Sequence, residues 1–109
     1  MIENEIINEL IKGLQEIFGD KLDRIILYGS VARGEECRES DIDIALVIKT
    51  VMNEDVKDSF FQWNAAMDMK YNKIFSIIDI EKDIFDKWSN VNPFYKNIKK
   101  EGVLLWKAA

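Results

Sequence analysis

Apolar residues recur at helical spacing over residues 3–18, where Ile6, Ile7, Leu10, Ile11, Leu14, Ile17 and Phe18 alternate with Glu, Asn, Lys and Gln. The pattern predicts an amphipathic helix closing at Gly19, with Asp20 and Lys21 continuing the turn. Ile25-Ile26-Leu27-Tyr28 is a short apolar run, β-branched at its start, that predicts a buried strand stopping at Gly29-Ser30. Residues 31–40 are polar with Gly34 among them and read as a loop holding about one helical turn. From Asp41 to Ile48 the chain alternates: Asp41, Asp43, Ala45 and Val47 point one way, while Ile42, Ile44, Leu46 and Ile48 form a buried face. Asn53 caps a helix over about 54–71, in which Val56, Phe60, Trp63, Met67 and Tyr71 keep helical spacing. A third strand follows over 74–80, with Phe75, Ile77 and Asp79 on one face and Ile74, Ser76, Ile78 and Ile80 on the other. Residues 81–88 form a short helix, and Asn92-Pro93 opens another that runs to about Lys100 and ends at Gly102. Val103 to Trp106 is a terminal strand or an apolar tail packed on the core. This order predicts a small α/β sandwich with one helical layer.

The chain's 109 residues suit one domain spanning 1–109, since two would each be too small to bury a useful core. Its 15 Lys and Arg against 20 Asp and Glu leave a net charge of −5, which disfavours direct binding to nucleic acid and favours a basic partner. With no histidine, catalysis by Ser-His-Asp or Cys-His and imidazole metal sites are excluded, so acid-base and metal chemistry falls to carboxylates. The single cysteine, Cys37, cannot form an internal disulfide. No apolar run suits a bilayer and the acidic N-terminus is unlike a secretory signal, so the expected location is cytoplasmic, away from membranes.

The chemistry concentrates in Gly29-Ser30, ten intervening residues, and Asp41-Ile42-Asp43. Carboxylates at i and i+2 of a strand share a face, with Cα atoms roughly 6 to 7 Å apart, and can chelate an ion between them. Carboxylate oxygens suit Mg²⁺, whose shell is commonly completed by water and nucleotide phosphates. Asp79, set between Ile78 and Ile80, is a third acid in an apolar strand and calls for an explanation. If the second and third strands pair antiparallel, Asp41, Asp43 and Asp79 meet at one sheet edge and bridge two metals about 3.5 to 4 Å apart. Gly29 lets backbone approach a ligand, Ser30 adds a hydroxyl donor, and Arg33 offers fixed positive charge to a polyphosphate. Taken singly, each piece has a plainer reading: a turn, a solvated strand end, a strand-terminal acid facing water.

Leu27-Tyr28-Gly29-Ser30-Val31-Ala32-Arg33-Gly34 followed by Ser40-Asp41-Ile42-Asp43-Ile44 resembles the signature of the DNA polymerase beta nucleotidyltransferase superfamily, and most of all its minimal nucleotidyltransferase branch. The likeness extends over nearly the whole chain, through Ile78-Asp79-Ile80 and the closing Phe94 to Val103. It implies an α+β fold, a small mixed β-sheet flanked by helices. It also implies that Gly29, Ser30, Arg33 and Ser40 hold the nucleotide, that Asp41 and Asp43 bind Mg²⁺, and that Asp79 joins the metal site and helps deprotonate the acceptor. Members of this branch typically serve as antitoxins that transfer AMP from ATP to a tyrosine of a HEPN-domain ribonuclease. Larger relatives carry a further substrate-binding domain that this sequence does not contain, so the resemblance implies an acceptor brought by another protein, in a homo- or hetero-oligomer.

Two rival readings remain: an acidic module that masks a basic ribonuclease without chemistry, and a self-sufficient enzyme that modifies a small cationic molecule such as an aminoglycoside. Phe60, Phe61, Trp63, Trp88, Phe94, Tyr95 and Trp106 read as core, with Trp63 and Trp88 as candidates to face a partner. Lys96, Lys99 and Lys100 read as a solvated helix face.

Overall fold

The computed structural model describes residues 3–34 and 41–109. Helix α1 (Asn4–Phe18) buries Ile6, Leu10, Leu14 and Phe18 along one stripe and gives way at Gly19, whose φ of 57° suits glycine. One 3₁₀ turn (Gly19–Lys21) leads into β1 (Leu22–Tyr28), which begins three residues before the apolar run. Those residues are Leu22, Asp23 and Arg24. Leu22 is buried, and the two charged side chains satisfy each other, with Arg24 Nε donating to Asp23 Oδ2 at 2.8 Å. The strand therefore tolerates a polar pair that the hydrophobic pattern alone would place outside it.

Next come α2 (Gly29–Ala32), β2 (Ile42–Ile48), α3 (Glu54–Tyr71), β3 (Phe75–Glu81), α4 (Lys82–Trp88), α5 (Pro93–Glu101) and β4 (Val103–Lys107). Asn53 caps α3 by accepting from the Val56 amide at 2.8 Å, and Asn92 caps α5 by accepting from the Phe94 amide at 2.9 Å. The final apolar segment is a strand, pairing antiparallel with β1.

The sheet order is β3-β2-β1-β4. Its central strands are sealed on both sides: Ile42, Ile44, Leu46 and Ile48 pack with α1 and α3, while Ala45 and Val47 pack with Phe85 of α4 and Ile98 of α5. The expectation of one helical layer is thereby corrected to two. Alternation did mark one buried face, but small Ala45 and Val47 made the other face look less apolar than it is.

A second correction bears on the site. β2 and β3 run parallel, with Asp43 beside Ser76 and Leu46 beside Asp79, not antiparallel as expected. The cause is the connection: the 18-residue helix α3 returns the chain to the starting end of the sheet, a crossover and not a hairpin. Among the described residues no helix is long and apolar enough to cross a membrane.

Candidate nucleotide site

The site grows from the end of β1. Tyr28 closes the strand, Gly29 turns the chain with φ 76°, and α2 follows as a single turn anchored in the core by buried Val31. The Arg33 amide donates to Gly29 O at 3.1 Å, and Gly34, at φ 73°, leaves the turn. Across β1 and β2, Tyr28 pairs with Asp43, so the strand that leads into the glycine-serine turn lies against the strand that opens between the two acids.

Asp43 packs against Gly29 so closely that a side chain at position 29 would collide with its carboxylate Oδ2. Asp41, just before the strand, is exposed and shares Asp43's side of the chain by strand parity. The two are electrostatically coupled. Partial burial pushes the Asp43 carboxyl above its ordinary value, the charge of Asp41 pushes the same way, and that of Arg33 opposes both. The Tyr28 hydroxyl is also raised, by burial and then by Asp43. An acid made costly to ionise by its surroundings, beside a second acid and a guanidinium, marks a candidate functional site.

Beside this pair a cleft of about 220 Å³ is lined by Tyr28, Gly29, Arg33, Phe94, Asn97 and Glu101. The Tyr28 and Phe94 rings meet edge to face at 5.8 Å and form its apolar wall. Phe94, Asn97 and Glu101 share one side of α5, and the sequence reading missed their place beside the turn. The available signal was the Asn92-Pro93 helix start, which aims α5 across the end of β1 but says nothing of which strand it meets.

Gly29, Ser30, Arg33, Asp41 and Asp43 thus gather at one end of the sheet. Ser40 and Cys37 lie outside the described residues. Asp79 does not join them. In the parallel register it sits three positions beyond Ser76, about 10 Å along the strand, and its parity is that of Phe75 and Ile77, which pack on the α1 and α3 side. Asp43 belongs to the opposite face, with Ala45 and Val47. The expected three-acid cluster and the assignment of Asp79 as metal ligand and proton acceptor are therefore corrected. On edge strand β3, Asp79 is exposed, so the burial cost that made it conspicuous in sequence does not arise. Among the described residues no group of three acids converges as a metal site. Asp41 and Asp43 supply a hard-oxygen pair of the kind that suits Mg²⁺, an ion whose shell is commonly completed by phosphate and water.

Phe60 is core, whereas Phe61, Trp88 and Phe94 are exposed; Trp63 is half-buried over Gly13. Lys96, Lys99 and Lys100 face solvent.

Comparison with known proteins identifies the family. The family model described as polymerase beta, nucleotidyltransferase matches residues 8–109. A candidate protein adenylyltransferase of Methanocaldococcus jannaschii is 32% identical over 107 residues, covering 97% of this chain and 100% of the relative. The protein adenylyltransferase MntA of Shewanella oneidensis is 32% identical over 99 residues, covering 91% of this chain and 63% of that protein. Among solved structures, a toxin-antitoxin crystallised with AMP-PNP superposes with a TM-score of 0.68 at 24% identity, covering 94% of this chain and 73% of that one. A complex of the tri-AMPylated Shewanella oneidensis HEPN toxin with its MNT antitoxin gives a TM-score of 0.62 at 17% identity, covering 98% and 74%. The match over almost all of its length, together with a glycine-serine turn set against paired strand aspartates, makes this chain a member of the polymerase beta nucleotidyltransferase family, of the minimal kind to which the MntA antitoxin belongs.

Proposed function

We propose that the chain transfers AMP from ATP to a hydroxyl of a HEPN-type ribonuclease and thereby acts as its antitoxin. The observation that supports this reading is the seating of the Asp43 carboxylate against Gly29, an acid packed on a glycine-serine turn. The names of the relatives supply the class of acceptor.

Gly29 backbone and the Ser30 hydroxyl hold phosphate oxygens, and Arg33 adds positive charge on the same side. Asp41 and Asp43 would hold Mg²⁺, which when bound would offset negative charge developing on the phosphate oxygens. The cleft walled by Tyr28 and Phe94 takes the nucleoside half of ATP. The acceptor oxygen attacks the α-phosphorus in line, a new O–P bond forms, and the bond to the bridging oxygen breaks so that pyrophosphate leaves. The hydroxyl proton passes to a carboxylate of the Asp41–Asp43 pair, the sequence offering no histidine to take it.

Labelled ATP, Mg²⁺, this chain and a HEPN-type ribonuclease should together yield labelled ribonuclease. The Asp41→Ala/Asp43→Ala double variant should lower the rate by about a hundredfold or more. Undiminished labelling by that variant excludes the reaction. The charge of −5 favours a second reading, a binding module that masks a basic partner. It is supported instead if the same variant neutralises the ribonuclease at full potency.

A further inference from the structure

Tyr28, Asp43 and Ser76 stand side by side on three adjoining strands. Their side chains share one face of the sheet, because Ile26, Ala45, Val47, Ile78 and Ile80, two or four residues along the same strands, all belong to the cluster beneath α4 and α5. Neighbouring strands lie about 4.7 to 4.9 Å apart, so position 76 is the place on β3 from which a side chain reaches a cation held by Asp43. It carries a half-buried serine.

Charge then decides how many ions the pair can hold. Asp41 and Asp43, together with the phosphates that the nucleotide brings, hold and offset one divalent cation. A second cation about 3.5 to 4 Å from the first needs carboxylates to bridge and neutralise the pair. A serine hydroxyl contributes an oxygen but no charge. We propose, resting on the nucleotide site described above, that this site loads a single divalent cation on Asp41 and Asp43 together with the nucleotide. Ser76, by setting a neutral hydroxyl where a third carboxylate would reach the site, is the residue that fixes that number.

Electron paramagnetic resonance of the full chain with Mn²⁺ and a non-hydrolysable ATP analogue tests this without reference to activity. One bound ion gives an uncoupled six-line spectrum; two ions at bridging distance give a spin-coupled one. The unaltered chain should show the uncoupled signal at saturating Mn²⁺. Ser76→Asp should bring in a second, coupled ion bound at least about tenfold more tightly than in the unaltered chain, and Ser76→Asn should not. Ser76→Glu takes the place of Ser76→Asp if circular dichroism shows that the latter fails to fold. A coupled pair in the unaltered chain overturns the proposal, as does a coupled pair in Ser76→Asn or a single ion in folded acidic variants. Absence of any protein-bound Mn²⁺ in the unaltered chain overturns the nucleotide-site reading as well, so the two failures are distinguishable.

Discussion

The Asp43 carboxylate lies over the Gly29 α-carbon, so that a methyl group added at position 29 would collide with Oδ2. Two independent demands meet there: φ of 76° excludes most side chains, and the acid excludes the rest. Gly29→Ala should therefore cost about 1 to 2 kcal/mol from the left-handed backbone alone. It should also lower adenylyl transfer by about a hundredfold, since a misplacement of about 1 Å has that effect on a positioned group. Urea unfolding and the labelling assay measure the two losses separately. Gly34→Ala, also at positive φ but with open space around it, should show the stability loss with a smaller loss of transfer.

Asp43 links activity and stability in opposite directions. Burial and Asp41 raise its folded-state proton affinity, so the folded chain binds that proton more tightly than the unfolded chain does. Stability should then fall as pH rises from the ordinary Asp range through the raised value. Asp43→Asn removes the ionisation. At neutral pH without metal it should raise Tm by about 2 to 4 °C, while transfer falls by about a hundredfold or more. Below the ordinary Asp range the two proteins should melt together. Calorimetry at pH 3 and pH 7 checks the sign.

The apolar wall of the cleft is separable from the carboxylates. The exposed Phe94 belongs to α5 and meets Tyr28 edge to face, so its removal takes no residue from the pairing of β1 with β2. Phe94→Ala should weaken ATP, seen as a KM higher by about five- to tenfold, in keeping with about 0.5 to 1.5 kcal/mol for an aromatic contact. Its kcat should change little, because the group binds ground state and transition state alike. Steady-state kinetics with saturating ribonuclease separates the two constants.

Most of the fold was legible because single elements are local. The stripe from Ile6 to Phe18, the Asn53 and Asn92 caps, and the alternation from Ile42 to Ile48 each declare themselves within one segment. The glycine-serine turn and the aspartate pair were legible for the same reason, since Gly29 and Asp43 sit at strand ends whose pairing needs no further information. The direction of β3 is a long-range property. An acid in an apolar run, Asp79, suggests an antiparallel partner that would bring it to Asp43, whereas the helix-length connection through α3 favours the parallel one observed. One reversed strand exchanged the neighbour of Asp43, from Asp79 to Ser76.

Gly13 offers a test of the α1–α3 contact away from the site. The Trp63 indole lies against its α-carbon, and an added methyl would overlap the ring at Nε1, Cε2 and Cζ2. Trp63 also stacks with Phe60, 6.3 Å between centroids, so it cannot withdraw without disturbing buried Phe60. Gly13→Ala gains helix propensity of about 0.8 to 1 kcal/mol but incurs overpacking of about 1 to 3 kcal/mol. A net loss of stability with a shift in tryptophan fluorescence is expected, and nucleotide affinity should stay unchanged. A stabilised variant would show that Trp63 is free to move.

Arg24 joins the start of β1 to α4, donating to Asp86 Oδ1 at 2.7 Å and to Asp23 Oδ2 at 2.8 Å, with its guanidinium 5.0 Å from the centre of the Phe85 ring. The hydrogen bond from Arg24 holds the Asp86 carboxyl below its ordinary value, against burial, and Lys82 one helical turn away helps at 3.0 Å. The sign is opposite to that of Asp43. Stability from Asp86 is present above the ordinary Asp value and is lost as pH falls through the lowered one. Because Asp86 is 45% exposed, solvent screens the pair. Asp86→Asn should therefore cost only about 0.5 to 1 kcal/mol at neutral pH, with the difference vanishing in acid. Arg24→Ala should cost more at every pH, since it also uncovers Phe85 and leaves largely buried Asp23 without its donor. Urea midpoints for both variants between pH 2 and pH 7 would show one difference that closes with acid and one that persists. Equal pH dependence in the two would mean that Arg24 acts through its charge alone.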